Sequence, residues 1–231
     1  MPRVAAPPFV GKSGCGLRGD VIEQIDWEVG EIMKALDRLK LADNTLVIFS
    51  SDNGPILFDG YFDRSEEDLN GHQPTGGLRG WKYLTYEGGC RVPLIARWPQ
   101  QIKPRVSDQL FSLVDVYATV AQLTGQELKK NVRDNTVLHG IGGLALRQGD
   151  WKYIPATEKM KPGGMGSGAN AADPRFAAAT VPEALLFNLA QDPNETNNLT
   201  AKYPDKAAEL AKELKAIVAQ GEGTKKTKAK P

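Results

Sequence analysis

Asp52 and Asn53 place a carboxylate and an amide side by side, directly after an apolar run at residues 46–50. These are hard oxygen donors of the kind that Ca²⁺ or Mg²⁺ takes from proteins. The run has β-branched and aromatic residues without polar alternation, so we expect a buried parallel strand there. Ligands bind at the carboxyl ends of strands in open α/β sheets, so a metal site is one interpretation of this position. The other interpretation, which these three residues taken alone favour, is a tight turn, because Asp-Asn-Gly commonly closes loops.

A second group of polar residues lies in and before the glycine-rich stretch 78–93. By its position alone, Lys82 in this stretch would be an exposed loop cation. Glu87 and Arg91 are predicted to form a buried structural pair, because the two glycines between them allow a close approach. His72 lies in a polar loop, where most histidines are only solvated.

The elements that must position these residues follow from hydrophobic periodicity. Apolar residues step by three and four from Asp20, a candidate N-cap, which predicts a surface helix leading into the strand at 46–50. A second apolar run at 92–96 predicts another short strand, and residues 110–123 predict a second amphipathic helix. The remaining predicted elements are two short strands at 143–154, a strand at 185–189 and a helix from Pro204.

Charge and cysteine content exclude several classes of partner. Lys and Arg total 29 against 28 Asp and Glu, so the overall charge favours neither nucleic acid nor an acidic membrane surface. Cys15 and Cys90 form neither a disulfide framework nor a zinc-ligand spacing. No apolar run reaches the ~18 residues of a membrane span, and we expect no export signal in the first residues.

Three blocks of sequence, by their order and spacing, resemble the sulfatase family of the alkaline-phosphatase-like superfamily. They are Gly11-Lys12-Ser13-Gly14 with the following residues to Gly30, then Phe49-Ser50-Ser51-Asp52-Asn53-Gly54, then residues 78–82 with 86–93. Residues 145–152 and 189–195 look like the family's C-terminal subdomain. The resemblance runs over nearly the whole chain and corresponds to the C-terminal half of the family pattern.

This resemblance implies an α/β fold with two unequal parts. Residues 1–125 would form the rear of an alkaline-phosphatase-like catalytic domain, a mostly parallel sheet with flanking helices. Residues 126–222 would form a small α+β subdomain of short antiparallel strands and a terminal helix. Within that part, the Gly- and Ala-rich stretch 159–180 predicts a mobile loop, and residues 223–231 are predicted to be a lysine-rich tail.

The same resemblance implies a sulfuric ester hydrolase of the arylsulfatase kind. Asp52 and Asn53 would be two ligands of a divalent cation, usually Ca²⁺ with Mg²⁺ as the alternative, and Lys82 would bind the sulfate oxygens. The substrate would be a sulfated small molecule or glycan, and family analogy implies a periplasmic, extracellular or lysosomal location. Further candidate contacts to the substrate anion are Arg3, His72, Arg79 and His139, of which His139 is better read as structural.

Two parts of the family's site are not found in this sequence. The nucleophile of sulfatases is a formylglycine made in a Cys-x-Pro/Ala-x-Arg setting, which neither Cys15 nor Cys90 has. The early strand that ends in paired aspartates is not found either, and Arg3 stands where the family carries a candidate acid histidine. We therefore expect weak cation binding and no activity of the chain alone. The chain would be the C-terminal half of a sulfatase, from a partial gene, a split protein or a decayed copy, and in a split protein the missing N-terminal half would be its partner.

Two other functions stay open on the sequence. One is a noncatalytic remnant that binds sulfated glycans or a partner through Lys82 and Arg79. The other is a phosphodiesterase or phosphatase of the same superfamily, because Asp and Asn donors serve phosphate equally well. In either case a strand at 46–50 without the front of its sheet would have an unpaired edge, which predicts marginal stability or self-association.

Overall fold

Helices and short strands alternate in the first half of the chain, and a four-stranded antiparallel sheet follows in the second. The computed structural model describes residues 4–59, 63–126, 134–157 and 174–226, and the side chains of 176–178 and 222–226 are not described. The α-helices are α1 (Gly16–Arg38), α2 (Glu87–Cys90), α3 (Asp115–Leu123) and α4 (Pro204–Lys226). The strands are β1 (Val47–Ser50), β2 (Leu94–Arg97), β3 (Asn135–Gly140), β4 (Gly143–Gln148), β5 (Trp151–Ile154) and β6 (Leu185–Asn188). The 3₁₀ helices are Pro7–Phe9, Ala42–Asn44 and Pro174–Ala179.

The α/β class is confirmed, whereas the parallel pairing and burial predicted for the strand before Asp52 are wrong. β1 pairs antiparallel with β2, from Val47 opposite Arg97 to Ser50 opposite Leu94, and these two strands form a sheet of their own among the described residues. Ile48 and Ile95 are 37% and 61% exposed. An apolar run indicates a strand, but its direction and burial depend on long-range partners that the run does not specify.

The second sheet has the order β3-β4-β5-β6, with every neighbouring pair antiparallel. The predicted hairpin is present, since β4 turns at Gly149, which has a φ of 54°, into β5. β3 is a further strand that the sequence analysis did not predict. α4 covers one face of this sheet and buries Leu210 and Leu214 against Leu146 and Leu186. This face therefore forms a packed core.

Asp20 lies inside the first helix instead of capping it. α1 begins at Gly16, and the buried carboxylate of Asp20 accepts hydrogen bonds from the backbone N–H of Gly11 (2.7 Å) and of Ser13 (3.0 Å) and from the Ser13 hydroxyl (2.8 Å). These donors hold the pKa of Asp20 below its usual range. Asp20 thus fixes the loop before α1, and a periodicity count that starts at Asp20 places the helix start too late.

The predicted mobile loop and lysine-rich tail coincide only in part with the described residues. Of the loop 159–180, residues 159–173 lie outside the described residues, while Pro174–Ala179 forms a 3₁₀ helix. Thr157 and Val181 are joined by a backbone hydrogen bond of 2.7 Å, and Ala179 is buried. The end of the predicted loop is therefore anchored to the sheet. α4 continues past the predicted boundary at residue 222 to Lys226, and residues 227–231 lie outside the described residues.

Large apolar side chains are exposed on α1, α3 and β2, in the part of the chain before the second sheet. They include Ile22 (60%), Trp27 (53%) and Ile32 (56%) on α1, Ile95 (61%) on β2 and Tyr117 (76%) on α3. Exposed apolar patches of this extent are typical of surfaces that contact another polypeptide. No helix in the described part of the chain has the length and apolar character to cross a membrane.

We expect the purified chain to self-associate through these side chains. Replacing Ile95 and Tyr117 together by Lys should lower the weight-average mass in sedimentation velocity at micromolar concentration, because it removes two exposed apolar contacts. A matched control replaces the exposed polar residues Gln101 and Gln109 by Lys, which adds the same charge and removes no apolar surface. Equal masses for the two double variants would show that charge, not apolar contact, controls association.

Candidate functional site

Two clefts meet at Asn53. One, of about 450 Å³, is lined by Arg18, Asn53, His72, Lys82 and Arg91 among others, and is called here the basic cleft. Among the described residues that line it, the cations outnumber the one carboxylate, Asp59, which lies 4.0 Å from Arg18. An anion is therefore the ligand that its charge favours.

The second cleft, of about 560 Å³, lies on the other side of the same turn. It contains Asp52 and Asn53 together with Glu87, His139 and Arg147. Asp52 and Lys82 thus line neighbouring clefts that share Asn53 and Arg91 instead of one common cavity.

The turn at Asp52 and Asn53 is fixed by short local hydrogen bonds. Ser51 Oγ donates to the Asn53 carbonyl (3.1 Å), and Asn53 Nδ2 donates to the Gly54 carbonyl (3.3 Å). With its nitrogen engaged there, Asn53 has Oδ1 as its remaining ligand atom. The Asp52 side chain is exposed. The turn interpretation of these residues is therefore compatible with a ligand role.

The donors at this turn match Ca²⁺ in kind. A carboxylate and an amide oxygen are ligands that Ca²⁺ takes, but the ion binds six to eight oxygens. Within the described residues, no group of three or more His, Cys, Asp and Glu side chains could hold a metal. Asp52 and Asn53 would therefore supply two ligands of a larger coordination shell.

Lys82 is held close to the turn by its backbone. Its N–H donates to the Pro55 carbonyl (2.9 Å), and its ammonium lies 5.3 Å from the centre of the Tyr83 ring. Among the described residues, no carboxylate forms an ion pair with Lys82. Tyr83 has a φ of 83°, a conformation that costs energy for a bulky side chain and that is enriched at functional sites. The Lys82 ammonium is thus a cation in the basic cleft without an acidic partner among these residues.

The other predicted contacts to a substrate anion are dispersed. His72 is exposed and lines the basic cleft with Lys82, whereas His139 is exposed on β3 and lines the second cleft. Arg79 lies elsewhere: its guanidinium stacks 4.0 Å from the Tyr86 ring centre, and Nη1 donates to the Glu195 carbonyl (2.7 Å). Arg3 lies outside the described residues. The structure therefore brings His72 and Asn53 to Lys82 and engages Arg79 in a structural contact.

The predicted ion pair between Glu87 and Arg91 is not formed in the described part of the chain. Glu87 is buried, with Oε1 3.0 Å from Lys152 Nζ and Oε2 3.4 Å from Arg147 Nη1. Arg91 is exposed and donates only its backbone N–H to the Glu87 carbonyl (2.8 Å). α2 is so short that Glu87 faces the second sheet while Arg91 already lies beyond the helix. The structural role of Glu87 is thus fulfilled by different partners.

The partners of Glu87 were missed because they are distant in sequence. Lys152 is fully buried on β5, and Glu195, also fully buried, lies 2.9 Å from the same ammonium. Burial raises the pKa of Glu195, and the nearby Lys152 opposes that shift. The available signal was a lysine among the aromatic and aliphatic residues of a strand, since buried lysines are almost always paired.

Cys90 is not activated as a nucleophile by its surroundings. Its Sγ contacts the Leu84 carbonyl at 3.4 Å, and burial raises the pKa of Cys90 to about 11. The thiolate is the reactive form of cysteine. At neutral pH Cys90 is therefore a protonated, unreactive thiol.

Cys90 should react slowly with iodoacetamide. At pH 8 the raised pKa leaves about 100-fold less thiolate than an ordinary cysteine has, and partial burial slows access further. The measurement is alkylation of the Cys15→Ser variant followed by mass spectrometry, with the same variant in denaturant as control. Equal rates with and without denaturant would contradict this assignment.

Comparisons with known proteins identify sulfatases as similar to this chain. The family model described as Sulfatase matches residues 13–126. The N-acetylgalactosamine-6-O-sulfatase of Bacteroides thetaiotaomicron is 41% identical over an alignment of 244 positions, gaps included, that covers 94% of this chain and 45% of that protein. The steryl-sulfatase of Mus musculus is 33% identical over an alignment of 240 positions, gaps included, that covers 89% of this chain and 37% of that protein.

A solved structure supports the same similarity in three dimensions. It comes from work on glycosaminoglycan metabolism by Bacteroides thetaiotaomicron and superposes with a TM-score of 0.80 at 38% identity, covering 94% of this chain and 48% of that chain. This chain therefore spans about half the length of the relatives that it matches.

Proposed function

The chain belongs to the sulfatase family, and we propose that it forms the sulfate-binding part of a sulfuric ester hydrolase that acts on sulfated glycans. The observation that carries this proposal is that Lys82 and Asn53 line the same basic cleft. Asp52, the residue before Asn53, lines the neighbouring cleft. The relative that is 41% identical is named for N-acetylgalactosamine 6-sulfate, so an O-sulfated amino sugar is the substrate class we favour.

The charge of the basic cleft suits the chemistry of sulfate esters. Cleavage builds negative charge on the nonbridging oxygens and on the leaving oxygen, and fixed cations stabilise that charge. The Lys82 ammonium would bind a nonbridging oxygen, and the Arg18 and Arg91 guanidiniums add positive potential around it. A cation held by Asp52 and Asn53 would supply Lewis-acid stabilisation of the same group. His72, exposed in the cleft, would hydrogen-bond the leaving sugar.

We assign the nucleophile to neither of the two cysteines in this sequence. Cys90 is a protonated thiol, and Cys15, like Cys90, lacks the Cys-x-Pro/Ala-x-Arg setting. We propose that polypeptide equivalent to the part of the relatives that this chain does not span supplies the nucleophile and the remaining metal ligands. The exposed apolar side chains of α1, β2 and α3 would contact it.

The binding role of Lys82 predicts a charge-specific loss of affinity. Lys82→Gln should weaken binding of N-acetylgalactosamine 6-sulfate to the chain by about tenfold or more, because a charge-assisted hydrogen bond is lost. Titration calorimetry of both sulfated and unsulfated sugar measures this effect. The matched control is Lys34→Gln on α1, which removes an exposed ammonium paired with Glu31. Equal losses for the two variants would mean that Lys82 acts only through net charge.

Catalysis is tested after the chain is combined with the complementary segment of the Bacteroides relative in its formylglycine form. We expect hydrolysis of an aryl sulfate that falls about 100-fold or more in Asp52→Asn, because loss of a metal ligand removes transition-state stabilisation. Asp43→Asn, at an exposed position in the 3₁₀ helix before β1, is the control. Preferential hydrolysis of the matched phosphate ester would favour a phosphatase instead. Activity that is indifferent to Asp52 would overturn the metal assignment.

A further inference from the structure

The Lys152 ammonium is buried between two carboxylates. Its Nζ lies 3.0 Å from Glu87 Oε1 and 2.9 Å from Glu195 Oε1, and all three side chains are removed from solvent. The guanidinium of Arg147, at the edge of the cluster, lies 3.4 Å from Glu87 Oε2. With this second cation the cluster holds two positive and two negative charges, a balance that burial requires.

The cluster fixes the first residue of α2 through its side chain and through its backbone. Glu87 is that residue, and Glu195 Oε2 accepts the Glu87 backbone N–H at 2.6 Å. Glu195 itself has a φ of 56° in the turn after β6, a conformation that a glutamate adopts at a cost. Side chain and backbone of Glu87 are therefore both tied to the second sheet and its turn.

α2 in turn lies between the two segments that carry the candidate site. The Gly54 N–H, next to Asn53, donates to the Gly89 carbonyl (2.9 Å), and a Cβ on Gly54 would come within 1.9 Å of the Gly88 carbonyl oxygen. On the other side, the Gly88 N–H donates to the Arg79 carbonyl (2.7 Å), and a Cβ on Gly89 would meet the Trp81 carbonyl oxygen at 2.4 Å. No side chain larger than hydrogen fits in these contacts, so any shift of α2 displaces one segment or the other.

We propose that Lys152 is a positioning residue, which fixes α2 through Glu87 and Glu195 and thereby sets the metal-binding turn against the segment that carries Lys82. The proposal rests on the proposed function for the identity of the ligands and on the contacts above for the coupling. A buried ammonium suits this role because any movement of α2 away from the second sheet would separate Glu87 from Lys152. That separation would leave buried charges without a partner, which costs free energy. Lys152 itself is not among the residues that line either cleft.

The first test uses the full chain and amide hydrogen exchange. Lys152→Met keeps an unbranched side chain, shorter by one heavy atom, and removes its charge. We expect exchange in peptides covering 52–56 and 78–90 to rise by about tenfold or more, since the buried acids lose their cation. The control is Leu210→Ala, which opens the core under α4, a different apolar cluster from the one that contains Leu84 and Tyr86 next to α2. Its effect should fall on 204–221 and spare 52–56.

A second variant keeps the test valid if Lys152→Met alone does not fold. Glu195→Gln retains an amide oxygen that can accept the Glu87 N–H and removes one negative charge. Lys152→Met combined with Glu195→Gln therefore leaves one buried carboxylate beside Arg147, so protection of 52–56 should recover in part. If exchange at 52–56 is unchanged in every variant of this pair, or rises equally in Leu210→Ala, Lys152 does not position the turn.

A metal titration separates this inference from the proposed function. If wild-type chain binds Ca²⁺ in calorimetry, Lys152→Met should raise the dissociation constant by about tenfold or more, a size typical for residues that support metal ligands, while Leu210→Ala should not. An unchanged Ca²⁺ affinity in Lys152→Met would overturn the positioning role. If wild-type chain binds no Ca²⁺ while the exchange coupling is present, the metal assignment fails and the positioning of the turn stands.

Discussion

The burial of one ammonium between two carboxylates is the constraint on which the rest of the structure depends. Taking Lys152, Glu87 and Glu195 out of water costs several kcal/mol per ion, which only close pairing and hydrogen bonds can offset. Their geometry is therefore specific: removing one partner from such a pair typically costs about 3–5 kcal/mol. An apolar contact at this position would tolerate sliding, whereas the ion cluster admits one register between α2 and the second sheet. The position of α2 in turn fixes the candidate site, because the Gly54 N–H, next to Asn53, donates to the Gly89 carbonyl of α2.

Packing differs sharply between the two halves of the chain, and the difference has a functional meaning. The second sheet buries Leu146, Leu186 and Leu210 completely, which is what a self-sufficient core requires. α1 buries only Asp20, and α3 buries none of its residues. Amphipathic helices gain stability by packing their apolar face against a partner. α1 and α3 have such apolar faces, but much of each face is left exposed. The half that carries Asp52 and Lys82 is thus also the half that presents an apolar surface, consistent with a site completed by further polypeptide.

Local patterns in the sequence predicted the elements well and their partners poorly. The hairpin around Gly149, the strand at β6 and the start of α4 at Pro204 follow from turn chemistry and periodicity, which act over a few residues. The direction of β1 and the partners of Glu87 depend on contacts over 43 residues or more along the chain, from Ser50 to Pro93 and from Glu87 to Lys152. Within the site, the motif resemblance selected Asn53 and Lys82, which share a cleft, but it also selected Arg79, whose stacking on Tyr86 no local pattern reveals.

The second sheet contacts the segment that carries Lys82 directly, as it also contacts α2. The Ile141 N–H, in the turn between β3 and β4, donates to the carbonyl of Tyr83 (2.8 Å), the residue with the unfavourable φ next to Lys82. Leu84 and Tyr86 then enter the core formed with Ile154 and Phe187. A strained conformation persists only where its surroundings fix it, and here a hydrogen bond and a packed core do so on the two sides of the strain. The sheet therefore restrains both the turn with Asp52 and Asn53, through α2, and the cation opposite, through Tyr83. Because these restraints come from one sheet, the distance between the proposed metal ligands and Lys82, the proposed sulfate ligand, would be set by a part of the chain that contributes no residue to either role.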